Sequence, residues 1–396
     1  MRVLMLGSDD TKLVEEPNEY NKFVKYRHIK YAERVDSLHI IIKTLRIKGI
    51  KRRRLSENLF VIPTMSKGRI IGLLDLYKLA SKKIREENID LIVTADPFGP
   101  GIIGLLLKFR YRLPLCVSLF GDFAFSKEWI RESFHNRVVS LLSRLVFKKA
   151  DIIRVHGRLV KEKIVTELKI HSEKICIVPI FTKVSNFSDI DGSKIRERYI
   201  GSSRKKIVLF AGRFTPQKDI PNLLKAIKVL LSKFQEVIFL MAGDGPLLLD
   251  MQKLAIEFGI EKYVIFLGVI PYELMGQYYS ASDIFVLPSL YEDTARVLIE
   301  AALAGKAIVT TDTIGAADIV LDNKTGFVIP CSDHFILAEK LLFLLTNPDV
   351  VKRFGKKAKE HMQKFIDLYA NEDKNVNRVI EIWKKALENY NKDNRS

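Results

Sequence analysis

Short apolar runs alternate with longer segments of helical periodicity over the first 180 residues of the chain. The runs are rich in Val, Ile and Leu, which is typical of strands buried on both faces. Between them, apolar residues recur at the spacing of one helix face. The alternation predicts a parallel sheet covered by helices. The predicted strands are Val3–Leu6, Leu91–Val93, Leu115–Leu119, Ile152–Val155 and Ile175–Val178.

The same alternation restarts after a polar join at residues 185–206, which predicts a second doubly wound domain. Its predicted strands are Ile207–Phe210, Val237–Met241, Val264–Leu267, Ile284–Leu287 and Ala307–Thr310. We set the domains at residues 1–187 and 188–370. An amphipathic helix at Asn375–Tyr390, within residues 371–396, is expected to pack back on the first domain. Because ligands of open α/β sheets bind outside the carboxyl ends of the strands, we expect the two domains to face a ligand-binding cleft.

Composition narrows the function classes. A chain of 396 residues that is 47% apolar can bury large cores. No apolar run approaches the roughly 18 residues of a membrane span, and Met1–Gly7 resembles a strand more than a signal peptide, so we expect a cytoplasmic protein. The three cysteines lie far apart without a CxxC pair, and the seven histidines lack ligand spacing. Metal and redox chemistry therefore have little support.

The net charge of +18 is concentrated in the first half, where residues 1–190 carry 36 Lys and Arg against 21 Asp and Glu. One dense cluster is Arg46–Arg54. A second basic stretch, Lys127–Lys149, has apolar residues at helical spacing between its cations. We weigh two interpretations of this stretch: a core helix with a solvated basic face, or a surface attracted to an anionic membrane or a lipid-phosphate substrate.

Four motifs follow successive strands of the second domain. A loop with two cations, suited to an anion, is followed by a glycine turn that permits close backbone approach and by a turn whose backbone could contact a planar base. The fourth motif contains two acids, Glu292 and Glu300. The first three motifs are AGRFTPQKD with Arg213 and Lys218, AGDGP with Gly243, and GVIPYEL with Val269 and Ile270.

Glu292 and Glu300 lie eight residues apart in PSLYEDTARVLIEAALAG. On one helix they would be about 12 Å apart along the axis, too far to act on one bond. We therefore expect them to contact two ends of a long ligand, and this division survives if Glu292 lies in the loop before the helix. The alternative is a pair of surface acids.

The order of these motifs resembles the retaining glycosyltransferases of family 4, which have the GT-B fold of two Rossmann-like domains. The match covers most of residues 207–327. The resemblance implies that Arg213 and Lys218 hold the donor diphosphate and that Glu300 binds the ribose hydroxyls. It places Glu292 beside the transferred sugar. It also places the amides of Thr294, Ala295 and Arg296 near the phosphates, and Val269 and Ile270 beside the base.

We expect neither a metal nor a cofactor, with the nucleotide sugar as a substrate. The chain has no DxD-type acidic pair where a metal would be expected, so cations and a helix amino terminus must neutralise the departing diphosphate. In the front-face mechanism expected for this family, a leaving phosphate oxygen accepts the acceptor's proton.

The sequence also departs from the family pattern. Glu292-Asp293-Thr294-Ala295 replaces the common Glu-Gly-Phe-Gly, and Ser8-Asp9-Asp10 replaces a glycine-rich loop. Phe120 stands where relatives commonly have His. Asp122 is then the candidate carboxylate and, with Glu292, a candidate catalytic residue; the alternative is a turn residue. Asp96, after Leu91–Val93, is a candidate acceptor contact with the same structural alternative.

The leading hypothesis is a hexosyltransferase that retains anomeric configuration and acts in polysaccharide biosynthesis. Its expected partners are a nucleotide sugar, a glycan or lipid-linked acceptor, and an anionic membrane at its inner face. A weakly catalytic sugar-nucleotide or polyanion-binding protein is an alternative, and a nucleotide-sugar epimerase is another. Nucleic acid is not expected, because basic and aromatic residues do not interleave as in a stacking platform.

Overall fold

The computed structural model describes residues 1–8, 13–14, 19–46, 53–119, 125–178, 187, 190–292, 295–369 and 372–393. The chain forms two compact units, Met1–Phe181 with Asn371–Ser396 and Thr182–Ala370. We call them the first and second domains. The predicted boundary after residue 187 lies close to the division after Phe181, and residues 179–186 and 188–189 lie outside the described residues. Each domain is built on its own largely parallel sheet, which confirms the predicted α/β fold class.

The first domain contains an eight-stranded sheet in the order β3-β4-β2-β1-β5-β6-β7-β8. Its described pairs are parallel except β3 with β4. Strands β2, β3 and β4 were not predicted. The strands are β1 Arg2–Ser8, β2 Ser37–Lys43, β3 Arg53–Ser56, β4 Leu59–Pro63, β5 Leu91–Thr94, β6 Leu115–Leu119, β7 Ile152–Val155 and β8 Ile175–Ile177.

Helices cover the first sheet, and the last helix of the chain belongs to this domain. Trp383 of that helix is 1% exposed in the first-domain core and meets the ring of Tyr31 edge-on at 5.6 Å. The helices are α1 Glu19–Ala32, α2 Arg69–Glu87, α3 Gly99–Tyr111, α4 Lys127–Glu132, α5 Phe134–Lys149, α6 Arg158–Leu168 and, after the second domain, α15 Glu372–Asp393.

The basic stretch Lys127–Lys149 is not a core helix, so that interpretation is wrong. It forms two helices separated at Ser133, whose hydroxyl accepts a hydrogen bond from the Asn136 amide and caps α5. The predicted apolar stripe of α5 is exposed, and Ser140, Ser143, Val146 and Phe147 face the core instead.

The second domain contains a six-stranded parallel sheet in the order β11-β10-β9-β12-β13-β14. The strands are β9 Lys206–Ala211, β10 Val237–Ala242, β11 Val264–Gly268, β12 Ile284–Leu287, β13 Ala307–Thr311 and β14 Gly326–Ile329. The helices are α7 Ser193–Ile200, α8 Ile220–Leu231, α9 Leu248–Glu257, α10 Tyr272–Ala281, α11 Arg296–Leu303, α12 Ile314–Ala317, α13 His334–Thr346 and α14 Pro348–Tyr369.

Each sheet has a point where the strand order reverses. In the second domain it lies between β9 and β12, and in the first between β1 and β5. Ligands of open α/β sheets bind outside the carboxyl ends of the strands at this point. The loops after β9 and β12 are therefore the expected ligand site of the second domain, and the loop after β5 contributes to that of the first.

None of the helices that the structure describes has the length and apolar character needed to cross a membrane.

Candidate functional site

The loop after β9 carries both predicted cations. The Phe214 side chain is completely buried, and its amide donates to the Asp244 carbonyl at 2.9 Å, which anchors the loop to the turn after β10. A single 3₁₀ turn, Pro216–Lys218, then leads into α8. Arg213 is exposed before this anchor, whereas the Lys218 side chain is only 12% exposed after it.

Hydrogen bonds join the loop after β12 to the loop after β9. The Leu290 amide donates to the Gln217 carbonyl at 2.8 Å, and Gln217 Nε2 donates to the Tyr291 carbonyl at 2.9 Å. Ser289 is fully buried, and its carbonyl accepts a hydrogen bond from Thr311 Oγ1. The loops after β9 and β12 are therefore hydrogen-bonded to each other at the point where the strand order reverses.

Lys218 and Glu292 meet where these loops join. Lys218 Nζ forms an ion pair with Glu292 Oε1, and Ser289 Oγ donates to the same oxygen at 2.5 Å. The side chains of the pair are 12% and 8% exposed. Two motifs that are 74 residues apart in the chain thus converge on one buried charge pair.

Glu300 lies inside α11, whose first residue is Arg296, so Glu292 is in the loop before the helix. Glu300 is 6% exposed, and its carboxylate accepts a hydrogen bond from the Tyr279 hydroxyl at 2.9 Å. Burial raises the pKa of Glu300, and the Tyr279 hydrogen bond and the nearby Arg296 charge oppose that shift only in part.

Arg296 begins α11 beside an aromatic ring. Its guanidinium carbon lies 5.9 Å from the centre of the Tyr272 ring, in cation–π range. Its Nε is buried and has no hydrogen-bond partner among the residues that the structure describes. Arg296 therefore brings donor capacity to the amino end of α11, close enough to Glu300 to influence its charge.

The AGDGP turn requires its first glycine. Gly243 has a φ of +132°, and a methyl group there would lie 1.9 Å from the Gly212 carbonyl oxygen. Its amide donates to the Gly268 carbonyl at 2.8 Å, while the Gly212 amide donates to the Ala242 carbonyl at 3.0 Å. The ends of β9, β10 and β11 are therefore held together through glycine backbone.

Val269 and Ile270 follow β11 at this same edge. Val269 is 72% exposed, and Ile270 packs partly against the core. Ala295 is 3% exposed, and its carbonyl accepts from the Leu298 amide at 2.8 Å in the first turn of α11. Thr294 lies outside the described residues.

Two family models match the chain, one in each domain. Residues 193–361 match Glycosyl transferases group 1, and residues 33–184 match Glycosyltransferase Family 4. This chain belongs to the family 4 glycosyltransferases. As a member of that family it is an enzyme of the hexosyltransferase type.

Some curated relatives of this glycosyltransferase align over most of both chains. An uncharacterised glycosyltransferase of Methanocaldococcus jannaschii is 26% identical over 77% of this chain and 79% of the relative. The UDP-Gal:alpha-D-GlcNAc-diphosphoundecaprenol alpha-1,3-galactosyltransferase of Escherichia coli is 27% identical over 70% of this chain and 72% of the relative.

Solved structures share the GT-B fold with this glycosyltransferase. Sucrose-phosphate synthase from Thermosynechococcus elongatus superimposes with a TM-score of 0.77 at 17% identity, covering 97% of this chain and 99% of that one. Anabaena HepE in complex with UDP has a TM-score of 0.70 at 18% identity, covering 96% and 99%. At these identities the likeness concerns the fold.

The first domain of the glycosyltransferase shows one of its three candidate residues. Asp96 follows β5 at the reversal point, and its Oδ1 accepts a hydrogen bond from the Phe98 amide at 2.8 Å. This is the bond of an Asx turn, which orients the loop. Phe120 and Asp122 lie outside the described residues.

Three contacts of the site were not predicted. Ser289 and Gln217 lie within the motifs but carry no signal that separates them from ordinary turn residues. Tyr279 lies on α10, 21 residues before Glu300, and nothing in its local pattern indicates a carboxylate partner.

In the described part of the chain, no group of three His, Cys, Asp or Glu side chains is placed to hold a metal ion.

Proposed function

We propose that this glycosyltransferase transfers a sugar from a nucleotide-diphosphate donor to a glycan or lipid-linked acceptor, retaining the anomeric configuration and requiring no metal. The observation that carries the proposal is the convergence of Lys218 and Glu292 where the strand order of the second sheet reverses. The aligned relatives favour the same chemistry, since one is named for UDP-Gal and a diphosphoundecaprenol-linked acceptor.

Cations and amides would hold the donor diphosphate. Exposed Arg213 supplies a guanidinium that can fork to two phosphate oxygens, and the Lys218 ammonium has donors left beyond its bond to Glu292. Arg296 and the first amides of α11 add further donors. Each charge-assisted bond contributes roughly 1.5–3 kcal/mol, which is enough to stabilise a departing diphosphate without a metal.

Glu300 and Glu292 would act at the two ends of the donor. Only Oε2 of Glu300 accepts from Tyr279, so Oε1 can accept from a ribose hydroxyl. Glu292, held by Lys218 and Ser289, would lie beside the sugar that is transferred.

The transfer step needs no protein base in this proposal. The bond from the anomeric carbon to the phosphate oxygen breaks, and the bond to the acceptor oxygen forms on the same face of the sugar. The acceptor's proton passes to an oxygen of the leaving diphosphate. Lys218, Arg213 and the amino end of α11 stabilise the charge that develops there. Asp122 remains a candidate for orienting the sugar or acceptor.

The acceptor is expected at the first domain, with Asp96 at the carboxyl edge of its sheet. We place the enzyme in the cytoplasm at the inner face of the membrane, where a lipid-linked acceptor of polysaccharide biosynthesis would be met.

A panel of nucleotide sugars tests the proposal by thermal shift and then by product analysis. The matching donor should stabilise the protein, since ligand at a hundred times its Kd contributes about 2.7 kcal/mol. Product NMR should show retained anomeric configuration, and activity should survive a metal chelator. Arg213→Ala should weaken donor binding about tenfold or more. The control Lys225→Ala, which removes an exposed cation of α8, should leave donor binding unchanged.

Stabilisation by no nucleotide sugar, together with full activity in Arg213→Ala, would overturn the proposal. Isomerised donor in the absence of acceptor would instead identify an epimerase.

A further inference from the structure

Helix α5 is turned with its apolar side outward. Phe134 is 78% exposed, Leu141 68% and Leu145 50%, and they lie with Val138 and Leu142 on one side of the helix. The side that faces the core carries Ser140, Ser143, Val146 and Phe147, and Ser143 Oγ donates to the Ser140 carbonyl at 2.7 Å. Val146 and Phe147 are each 1% exposed, so the helix is anchored by these residues while its apolar stripe stays in solvent.

Two neighbouring helices extend this apolar surface. Helix α3 packs against both α2 and α5. Ile70 is 80% exposed on α2, and Phe109 is 61% exposed on α3. In the part of the chain that the structure describes, half of the exposed large apolar side chains lie on these three helices. They are Ile70, Ile71, Leu74, Leu106, Phe109, Phe134, Val138, Leu141, Leu142 and Leu145. Single exposed apolar residues are ordinary, but a contiguous group marks an interaction surface.

The charge of this surface is positive on two of its three helices, whereas α2 also carries Asp75, Glu86 and Glu87. Helices α3 and α5 together carry six Lys or Arg residues and no Asp or Glu. At their carboxyl ends Lys148, Lys149 and Arg112 line a cavity of about 520 Å³ beside Phe109. Its two acids are already in ion pairs, Asp151 with Lys108 and Asp393 with Lys174. None of these three cations has a described acidic side chain within ion-pair distance, so they remain available to an anionic partner.

An anionic membrane suits this combination better than a second copy of the chain. A symmetric dimer through α3 and α5 would bring the cations of both copies close together, and neither helix has an acidic residue to pair with them. A leaflet with anionic headgroups neutralises them and receives the apolar side chains at the headgroup boundary, as for interfacial amphipathic helices.

The surface also borders the edge of the sheet where an acceptor would react. Helices α2, α3 and α5 each begin at the carboxyl ends of the strands, so Ile70 and Phe134 lie at that edge. The ring of Trp129 on α4 packs against Phe98 in the loop after β5, with ring centres 5.2 Å apart. This loop also contains Asp96.

We propose that the exposed face of α2, α3 and α5, the docking face, binds an anionic membrane surface and brings the carboxyl edge of the first sheet to a lipid-linked acceptor in that leaflet. Only the account of the acceptor rests on the proposed function; the docking itself does not.

Vesicle co-sedimentation of the full chain tests the proposal, with vesicles of phosphatidylcholine alone or with phosphatidylglycerol. The wild type should bind the anionic vesicles, less so at high salt. The variant L141Q/L145Q should bind at least tenfold more weakly, whereas L249Q/I256Q, which changes two exposed apolar residues of α9, should bind like the wild type.

Charge is tested by K148Q/K149Q, which should weaken binding by about fivefold for each lysine. The matched control, K356Q/K357Q, changes two exposed neighbouring lysines of α14 and should have no effect. Binding of a nucleotide sugar, followed by thermal shift, should be the same in all four variants, which shows that they are folded.

Absence of wild-type binding to anionic vesicles would overturn the docking proposal and the membrane location while leaving the proposed sugar transfer intact. Vesicle binding without any nucleotide-sugar binding would instead support the docking proposal and overturn the proposed function. Light scattering that finds a dimer, dissociated by L141Q/L145Q, would assign the face to a second copy and also overturn the docking proposal.

Discussion

The buried pair Lys218–Glu292 shows how an acid can stand beside an anionic substrate. An isolated carboxylate in this position would repel a diphosphate and would cost several kcal/mol to desolvate. The ammonium of Lys218 and the hydroxyl of Ser289 both contact the same carboxylate oxygen, so the charge is compensated before a donor binds. Among the described residues, the hydrogen bonds of Glu292 go to one carboxylate oxygen, and in the proposed function the other oxygen contacts the sugar.

Glu300 gives the donor site a predicted dependence on pH. Burial raises the pKa of this carboxyl, so it becomes protonated at a higher pH than an ordinary Glu, whose pKa is about 4.3. A protonated Glu300 accepts fewer hydrogen bonds from the ribose. Affinity for the best nucleotide sugar should therefore fall as the pH is lowered through this raised pKa, and the fall should begin above the ordinary range.

Calorimetric titration at several pH values measures this effect. A nucleotide sugar is a suitable probe because its doubly esterified diphosphate has no second ionisation. Glu300→Gln should bind about tenfold or more weakly at neutral pH and lose the pH dependence. Glu273→Gln, at an exposed acid of α10, should keep both. A pH profile unchanged in Glu300→Gln would contradict the assignment of the ribose contact to this residue.

Sequence reasoning predicted the acids and cations of the site but not how they pair. Glu292, Glu300, Arg213 and Lys218 follow strand ends, and the strand pattern is strong. The Lys218–Glu292 contact depends on which strands become neighbours, and β12 lies beside β9 although β10 and β11 come between them in the chain. The apolar periodicity of a segment does not predict which strands will be its neighbours in the sheet.

Among the elements, the turn after β10 is the most constrained piece of the donor site. A side chain at Gly243 would meet backbone, which cannot move away as a flexible side chain can. Gly259 also has a positive φ, of +69°, but an added methyl there meets nothing within 4 Å. Gly243, with a φ of +132°, also lies outside the left-handed region that suits Gly259, so the two positions differ in backbone conformation as well as in close approach.

Gly243→Ala should destabilise the protein more than Gly259→Ala. The left-handed conformation alone costs an alanine about 1–2 kcal/mol. At Gly243 the displaced Gly212 backbone should add at least about 2 kcal/mol, within the range for strained functional turns. Urea unfolding followed by circular dichroism measures the difference. Donor binding should also weaken in Gly243→Ala alone, because Gly212 precedes Arg213. Equal costs at the two glycines would show that the turn relaxes freely.

The predicted strands of both sheets are present, whereas β2, β3, β4 and β14 were not predicted, and polar residues account for two of these omissions. Strand β2 contains His39, which is buried, stacks on Phe60 at 4.9 Å and has a pKa lowered by burial. A neutral stacked imidazole behaves as an apolar residue, but its polar identity hides the strand in the sequence. Strand β3 carries Arg53 and Arg54 because it is a sheet edge, where charge prevents further pairing.

Helix α5 was misread for a different reason. Its apolar periodicity is strong, and such a stripe normally faces a core. Here Gly101 of α3 lies so close that an added methyl would be 3.2 Å from Val146, and the inward side is formed by Ser140, Ser143, Val146 and Phe147 instead of the apolar stripe. Periodicity gives the width of an apolar face but does not say what the face contacts.

At the scale of the molecule, the chain returns to the first domain after completing the second. Helix α15 fills the core on one side of the first sheet, where Trp383 is 1% exposed and contacts the aromatic ring of Tyr31. The last residues of the sequence therefore stabilise a domain whose other elements end near residue 178. The second domain has its own core, which contains Phe354 at 4% exposure.

Trp383→Ala should destabilise the first domain selectively. Truncating a buried aromatic residue to alanine typically costs about 3–5 kcal/mol. The chain has two tryptophans, Trp129 and Trp383, and both lie in the first domain. Fluorescence of the remaining Trp129 thus follows unfolding of that domain, and its denaturation midpoint should drop in Trp383→Ala. Binding of a nucleotide sugar at the second domain should change little below that midpoint.

Phe354→Ala supplies the matched control, since it should weaken the second domain and its ligand binding while leaving the fluorescence transition in place. If both variants moved that transition equally, the two domains would unfold as one cooperative unit, and separate cores would not describe the stability of this glycosyltransferase.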